Sequence, residues 1–394
     1  MANDMARVIV VGGGVFGITG ALSLRARGHE VVVLDPGPLP HPLAASTDVS
    51  KVVRMDYGAD DAYAAQMERA LERWRDWNRR WPSPLFHETG VTFLTRRPME
   101  PGGFEHDSMA ALTRRGHRLE RLDAATIRAR FPAWSTGRYV DGYFNPAGGW
   151  VESAAVIVRL VDAARAAGIV VRESFAIATL AERGSRVVGV VGAQGERVLG
   201  DVVVVAAGSW TPHLLPELAG ALRSVGQPIF HLRPADRAPF EAVRFPVFGA
   251  DLARTGYYGF PVNAAGVVKI ANHGLGRAMH PESPARAVTA DEVGALRAFL
   301  ADTFPALVDA PLVYSRTCLY CDTRDEHFWI ARDPGREGLV VATGGSGHAF
   351  KFAPLLGDWI ADAVEGVESA AAARFRWRPE LLDARGEEAA RRHE

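Results

Sequence analysis

The sequence has few cysteines, no long apolar segment and almost no excess of charge. Two cysteines in 394 residues cannot form a disulfide framework, so we expect a reducing compartment, the cytoplasm. No apolar run approaches the roughly 18 residues that a membrane helix needs, which argues against a membrane protein. The sequence has 45 basic and 46 acidic residues, so its net charge gives no reason to expect binding to nucleic acid or to an anionic membrane.

Size and composition indicate a soluble globular protein. At roughly 150 residues per domain, 394 residues predict two or three domains. Hydrophobic residues make up 48% and charged residues 23%, which is typical of soluble domains with sizeable cores.

Lysine is scarce in a way that singles out individual positions. Only three of the 45 basic residues are lysines, namely Lys51, Lys269 and Lys351. A solvated surface accepts either basic residue, whereas a tight site can require the compact charge of an ammonium, which a planar guanidinium does not replace. Each lysine is therefore a candidate functional residue, with chance survival as the alternative.

The N-terminal segment has the pattern of a dinucleotide-binding unit. Residues 7–17 form an apolar run that leads directly into glycines, and a helical stretch follows as far as Gly28. Residues 30–35 then predict a second parallel strand that ends in an acid. A signal peptide is the competing interpretation, but three glycines interrupt the apolar stretch.

Each element of this pattern has a physical role. Gly12 allows a tight turn, Gly14 lets the backbone approach a pyrophosphate at a helix N-terminus, and Gly17 lets helix and strand pack closely. Asp35 is placed to accept a hydrogen bond from a ribose hydroxyl. The motif predicts dinucleotide binding without distinguishing FAD from a nicotinamide.

The rest of the chain alternates between helices and strands and then changes character. We predict helices over 62–81 and 151–167 and strands over 169–172, 187–191 and 202–206. The last strand continues into Ala-Gly-Ser-Trp, which suggests a discontinuous domain whose later strands return to the first sheet.

Residues 220–315 are richer in proline and predict an α+β block on the substrate side. A strand is expected over 266–271. A helix is expected to begin at the capping box Thr289-x-x-Glu292 and to end before Pro305.

The two cysteines, Cys318 and Cys321, lie close together in one segment and leave several interpretations open. A redox pair requires a helix that begins directly after a strand, and no such helix is clearly signalled here. A zinc site lacks a second pair of ligands at the usual spacing. Buried structural thiols and a covalent cofactor link remain.

Three motifs together carry a resemblance to a known family. They are Gly-Gly-Gly-x-x-Gly near the start, Cys318-Leu-Tyr-Cys-Asp-Thr-Arg-Asp-Glu-His-Phe, and Gly344-Gly-Ser-Gly-His348-Ala-Phe-Lys351-Phe. The chain resembles the monomeric sarcosine oxidase and N-methyltryptophan oxidase branch of the FAD-dependent amine oxidases. The motifs span residues 8–352, so the resemblance covers nearly the whole sequence.

The resemblance implies an α/β fold with a discontinuous Rossmann-type FAD domain and a second, α+β substrate domain. We expect the FAD domain to comprise residues 1–90, 150–220 and 316–394. We expect the substrate domain to comprise residues 91–149 and 221–315.

The resemblance also implies roles for individual residues. Cys318 matches the cysteine that forms a thioether to the flavin 8α-methyl group, and Tyr320 follows it in the active site. Arg54 and Lys351 match the pair that holds the substrate carboxylate. The implied catalytic residues are Arg54, Tyr258, Lys269, His273 and Lys351, with Tyr258 in the pocket, Lys269 near flavin N5 to activate oxygen, and His273 on the substrate side.

The motifs and the resemblance together give a set of expected cofactor-binding residues: Gly12, Gly14, Val15, Phe16, Gly17, Asp35, Ser46, Lys51, Ala207, Gly208, Trp210, Cys318, Tyr320, Gly344, Gly345, Gly347, His348 and Lys351. We also expect Lys269 and Lys351 to face one shared cavity. No metal site is expected.

Three residues near the expected flavin depart from the family pattern. Lys51 stands where the family usually has arginine, Thr47 where it has histidine, and Cys321 where it has threonine. These departures bear on covalent attachment of the flavin, on its redox potential and on the choice of substrate.

The sequence therefore predicts an oxidase of a secondary amine or of an N-alkyl or cyclic amino acid, with O₂ as acceptor and H₂O₂ as product. FAD is expected as cofactor, attached through Cys318, and a monomer is favoured. One alternative is an enzyme with non-covalent FAD that oxidises an amino acid or passes electrons to a carrier protein. A flavin-binding sensor is the alternative outside enzymes.

Overall fold

The computed structural model describes residues 5–283 and 286–382 and contains two large sheets. Residues 1–4 and 383–394 of the expected FAD domain and residues 284–285 of the expected substrate domain lie outside the described residues. None of the helices in the described ranges combines the length and the hydropathy needed to cross a bilayer.

The first large sheet, here called the parallel sheet, has six strands, and all neighbours are parallel except the pair at one edge. In spatial order its strands are Trp329–Arg332, Leu339–Thr343, Val202–Val205, Arg7–Val11, Glu30–Leu34 and Val170–Arg172. Strands that are buried on both faces read as continuous valine-rich runs, which is the pattern of residues 8–11 and 202–205. The predicted strands at both places are confirmed, and the later strands do return to the first sheet.

The two faces of the parallel sheet carry different layers. Val8 and Val10 face helices, including Val15–Ala26 and Ala353–Glu365, whereas Ile9 and Val11 face the opposite side, as the two-residue period of a strand requires. The opposite side is covered by a three-stranded antiparallel sheet with strands Ile177–Arg183, Arg186–Gly192 and Arg197–Leu199.

The second large sheet, here called the mixed sheet, has nine strands. Eight follow one another as Arg277–Ala278, Leu222–Leu232, Val268–Asn272, Tyr257–Gly259, Val247–Ala250, Val91–Thr95, Asp141–Asn145 and Glu120–Arg121. The ninth strand, Leu312–Thr323, is antiparallel to Leu222–Leu232. The expected domain boundary at residue 316 falls within this ninth strand, and the division into domains stays a prediction.

A further small sheet contains the expected site residue Lys51. Its strands are Lys51–Val53, Gly149–Val151 and Phe86–His87. Lys51 therefore lies at the beginning of a strand, directly after a long loop formed by residues 35–50.

The α-helices are Val15–Ala26, Asp61–Arg80, Phe104–Arg114, Ala124–Arg130, Ser153–Ala166, Thr211–Leu214, Leu252–Thr255, Ala290–Thr303 and Ala353–Glu365. Short 3₁₀ turns occur at Gly208–Trp210, Pro216–Leu218, Ala238–Phe240, Pro305–Leu307, Ala349–Phe352, Ala373–Phe375 and Pro379–Leu381. The capping box predicted at Thr289 is confirmed, because its side chain accepts from the backbone of Glu292 while the Glu292 carboxylate accepts from Thr289 N.

Candidate active site

A cavity of about 400 Å³ lies at the carboxyl ends of the parallel strands, within the size range of small-molecule sites. Most of the expected cofactor-binding residues line it: Gly12, Gly14, Val15, Phe16, Asp35, Ser46, Lys51, Ala207, Gly208, Trp210, Tyr320, Gly345 and Gly347. The remaining members of that set, Gly17, Cys318, Gly344, His348 and Lys351, do not line this cavity.

The glycine turn has the geometry that the motif predicts. Gly12 has φ of +100°, and a Cβ on it would stand 2.6 Å from the backbone oxygen of Ala206. A Cβ on Gly17 would stand 1.8 Å from the backbone oxygen of Gly12. Because neither position can carry a side chain, the helix Val15–Ala26 begins close against the sheet and directs its N-terminus toward the cavity.

Asp35 and Ser46 fix the backbone around this helix start. The Asp35 carboxylate accepts hydrogen bonds from Gly13 N at 2.8 Å and from Gly37 N at 3.0 Å. Burial raises the pKa of Asp35. The Ser46 hydroxyl accepts from Val15 N at 3.0 Å. Each Asp35 oxygen keeps a further lone pair, so the carboxylate can still accept from a ribose hydroxyl.

The two cysteines lie on the strand Leu312–Thr323, and both are free thiols. The next element of the chain is the strand Trp329–Arg332, so no helix begins directly after them and the geometry of a redox pair is absent. Three residues apart on a strand, they point to opposite faces. Cys321 lines the cavity, and burial raises its pKa to about 11. Cys318 packs in the small apolar cluster that contains Tyr320 and Tyr258.

Lys269 is buried, and the protein supplies its counter-charge. Its Nζ donates to Asp48 Oδ2 at 2.5 Å and to the backbone oxygen of Ser50 at 2.6 Å, and it lies 4.7 Å from the centre of the Phe260 ring. Burial lowers the pKa of Lys269 to about 8, against the opposing attraction of Asp48.

Sequence reasoning missed Asp48, a buried carboxylate that has three basic side chains within 4 Å. Besides Lys269, Lys51 Nζ lies 3.9 Å and His231 Nε2 lies 3.6 Å from its carboxylate. Burial would raise the pKa of Asp48, but these neighbours outweigh burial and hold the pKa well below the ordinary value. The helix start at Ser153 fixes the Asp48 backbone, because Ser153 Oγ donates to the Asp48 carbonyl at 2.8 Å.

Lys351 and Arg54 form a second cationic group with a different character. Within the described residues, neither has an acidic side chain within ion-pair distance, and the Lys351 ammonium makes no hydrogen bond. Burial, together with the neighbouring charge of Arg54, lowers the pKa of Lys351 well below its usual range, and the charge of the buried Asp56, which lies beyond ion-pair distance, opposes this only in part. Arg54 Nη1 is buried without a hydrogen-bond partner. The Arg54 guanidinium, with a Lys351 amine that gains its charge when a carboxylate arrives, is suited to an anionic ligand.

Aromatic rings enclose this cationic pair. The Arg54 guanidinium carbon lies 5.4, 5.6 and 5.3 Å from the ring centres of Tyr57, Phe93 and Phe104. Lys351 Nζ lies 4.5 Å from the centre of the Tyr57 ring. Cation–π contacts at these distances partly stabilise a charge that has lost its water.

Tyr57 is a second residue that sequence reasoning missed. Its hydroxyl lies 2.9 Å from His348 Nδ1, and His348 Nε2 lies 2.9 Å from the backbone oxygen of Glu326. Because a carbonyl can only accept, Nε2 carries a proton, and in the neutral ring Nδ1 accepts from Tyr57. Burial raises the pKa of Tyr57 well above its ordinary value, so the hydroxyl remains a donor. His348 thereby fixes the ring that lies between Arg54 and Lys351.

The remaining expected catalytic residues come together around Tyr320. The hydroxyls of Tyr258 and Tyr320 are 3.4 Å apart, and the ring centres of His273 and Tyr320 are 6.0 Å apart. Neither Lys269 nor Lys351 lines the 400 Å³ cavity. The expectation that both lysines face one shared cavity is therefore not met by this cavity. Lys269 and Arg54 do contact one apolar cluster, through Phe260 and Phe93 respectively.

Metal binding has no support in the described residues, among which no group of three or more His, Cys, Asp or Glu side chains is arranged to hold an ion.

The chain matches one family model and several named oxidases over most of its length. Residues 7–363 match the family model described as FAD dependent oxidoreductase. An N-methyl-L-tryptophan oxidase from Citrobacter koseri is 29% identical over 367 residues, covering 91% of this chain and 94% of that protein. A monomeric sarcosine oxidase from a Bacillus species is 26% identical over 360 residues, covering 89% and 90%.

Solved structures show the same fold. The fructosamine oxidase of Aspergillus fumigatus, Amadoriase II, in complex with FSA superposes with a TM-score of 0.84 at 25% identity, covering 97% of this chain and 92% of that one. A modified fructosyl peptide oxidase from Aspergillus nidulans superposes with a TM-score of 0.85 at 22% identity, covering 100% and 97%.

Proposed function

Because the chain belongs to the FAD dependent oxidoreductase family, we propose that it oxidises a secondary amine or an N-alkyl or cyclic amino acid to an imine, with O₂ as acceptor and H₂O₂ as product. Family membership makes this an enzyme with FAD as its cofactor. The proposed substrate class is supported by relatives named for the oxidation of N-methyl-L-tryptophan and sarcosine.

The observation that carries the proposal is the pair of basic side chains Arg54 and Lys351, which have no acidic side chain within ion-pair distance among the described residues. Arg54 Nη1 has no hydrogen-bond partner. Lys351 is buried, and both its burial and the charge of Arg54 lower its pKa. A substrate carboxylate would satisfy both groups through charge-assisted hydrogen bonds. The same contact would fix the orientation of the amine, which is the main contribution a protein makes to a cofactor-borne reaction.

The residues around the cavity fit an FAD molecule. The tight turn at Gly12 and the helix N-terminus at Val15 suit a pyrophosphate, and Asp35 suits a ribose. When bound, FAD supplies the redox chemistry by accepting two electrons from the carbon–nitrogen unit. Lys269 provides a buried cation for the negative charge that develops as oxygen is reduced. Such a charge is worth about 2.7–4 kcal/mol if it acts like one oxyanion-hole donor.

We further propose that FAD is attached covalently through Cys318. The sequence resemblance supports this choice, and so does the position of Cys318 on the same strand face as Tyr320, among the residues around Tyr258. Cys321 is the internal control, because it lines the cavity but points to the opposite face and has a raised pKa that disfavours the thiolate.

Acid precipitation of Cys318→Ala and Cys321→Ala tests the link directly. We expect yellow colour to remain in the pellet for the unsubstituted protein and for Cys321→Ala, and to pass into the supernatant for Cys318→Ala. The opposite pattern would assign the link to Cys321, and free flavin in all three proteins would exclude a covalent link.

Anaerobic reduction by a panel of amines tests the reaction itself. We expect sarcosine, other N-methyl amino acids, proline or pipecolate to bleach the flavin, and N-alkyl amines without a carboxylate to be far weaker. No bleaching by any amine would contradict the proposal and favour a sensor. Bleaching without peroxide under air would indicate a carrier protein as the acceptor.

A further inference from the structure

Asp48 is a buried carboxylate placed among several titratable groups from separate elements. Its side chain is only 2% exposed and accepts from Lys269 on the strand Val268–Asn272. Lys51, at the start of the next strand of the chain, lies 3.9 Å away, and His231 of the strand Leu222–Leu232 lies 3.6 Å away.

The surroundings of Lys269 would not sustain its charge without this carboxylate. Burial and the nearby Lys51 both lower the pKa of Lys269, while Asp48 and, more weakly, Cys318 raise it. The other close contacts are the Ser50 carbonyl and the face of the Phe260 ring, and neither carries a formal charge. An ammonium buried without a counter-charge gives up its proton rather than remain charged.

We propose that Asp48 is a positioning residue for the oxygen half of the reaction, which keeps Lys269 in its ammonium form and holds Nζ between the Asp48 carboxylate and the Ser50 carbonyl. This inference rests on the proposed function, in which Lys269 is the cation that faces developing negative charge. Asp48 acts through the side chain to which it is bonded, Lys269, since it contacts no group expected to react.

Asp48→Asn keeps the shape of the side chain and removes its charge. Reoxidation of the reduced holoenzyme by O₂ is followed by stopped flow across pH, after reduction with dithionite so that no amine substrate is required. With Asp48 present, Lys269 has a pKa of about 8, and we expect the rate to be constant below that pH and to fall above it. In Asp48→Asn we expect this fall to move at least about one pH unit toward acid, which lowers the rate at pH 8 about fivefold or more.

Asp141→Asn is the matched control. Asp141 is also buried and ion-paired, but with Arg121 at the far end of the mixed sheet. We expect this substitution to lower stability without moving the pH at which reoxidation falls. An unchanged pH dependence in Asp48→Asn would overturn the proposal, and the same shift in both variants would assign it to general destabilisation.

Thermal unfolding of the full-length protein, at matched flavin content, gives a readout that does not depend on activity. Removing one partner of a buried ion pair leaves an uncompensated charge, whereas removing both does not. We therefore expect Asp48→Asn and Lys269→Met each to lower Tm, and the double variant to have a higher Tm than the sum of the two losses predicts. Additive losses would contradict a shared charge. If no amine reduces the flavin, the proposed substrate class fails while both tests of Asp48 still give a result.

Discussion

Lys269 and Lys351 are equally buried, at 2% exposure each, yet the protein treats their charges in opposite ways. Lys269 has a carboxylate at 2.5 Å and a carbonyl at 2.6 Å. Lys351 has an aromatic face at 4.5 Å and, in the described part of the chain, no acid within ion-pair distance. The fold supplies the counter-charge of Lys269, whereas the counter-charge of Lys351 has to come with a ligand.

This difference separates two tasks that a single site has to perform. A cation needed in every turnover, whatever the substrate, is best held charged by the protein itself. A cation that recognises a substrate gains most when its counter-charge arrives with that substrate, because pairing then contributes to binding rather than to folding. The pKa of Lys351, well below its usual range, and that of Lys269, at about 8, follow this division.

Substitution of Lys351 by methionine should have the largest effect on catalysis. Loss of one partner of a buried charge pair costs about 2–5 kcal/mol, so we expect kcat/KM for an N-alkyl amino acid to fall roughly 30-fold to several thousand-fold. An amine of similar size without a carboxylate should be affected far less. Because no acidic side chain in the described part of the chain lies within ion-pair distance of Lys351, Tm should not fall. Equal losses for both substrates would remove Lys351 from carboxylate recognition.

Substitution of Lys269 by methionine should affect the other half-reaction. We expect reoxidation by O₂ to slow about 100- to 1,000-fold, as on removal of one oxyanion-hole donor, while reduction by substrate changes much less. In contrast to Lys351→Met, this variant leaves Asp48 buried and uncompensated, so its Tm should fall. Stopped-flow measurement of both half-reactions decides the assignment, and equal slowing of the two would contradict it.

Substitution of Lys51 by methionine should have the smallest effect, and in a direction opposite to that of Asp48→Asn. Lys51 is a like charge that lowers the pKa of Lys269, so its removal should raise that pKa. We expect the pH at which reoxidation falls to move toward alkali by less than about one unit. A shift toward acid in this variant would show that Lys51 does not act on Lys269 through its charge.

The cofactor cradle could be predicted from the sequence because its parts are close together in the chain. Gly12, Gly17 and Asp35 belong to one strand–helix–strand unit whose turn, helix start and terminal acid each have a local signature. The sequence also shows no helix signal after the two cysteines, and the structure places both of them on a strand. In both cases the residues that define the feature are near neighbours.

The environments of the lysines could not be predicted, because they depend on contacts between distant segments. Composition singled out Lys269 and Lys351, but the Lys269–Asp48 contact joins residues 221 positions apart. An aspartate in a proline- and serine-containing loop has the composition of ordinary turn chemistry, so Asp48 carried no distinguishing signal. Tyr57 could not be predicted for the same reason, because its orientation depends on a hydrogen bond to His348, 291 residues later in the chain.

The ladder between Leu312–Thr323 and Leu222–Leu232 places Cys318 opposite Gln227 and Cys321 opposite Ser224. Since side chains alternate along a strand, a slip of a single residue in this ladder would exchange the two faces and bring Cys321 to the side where Tyr258 lies. The register of this one pair of strands thus determines which of the two sulfurs can form a bond to the flavin. A one-residue insertion ahead of Cys318 would alter that choice without changing either thiol.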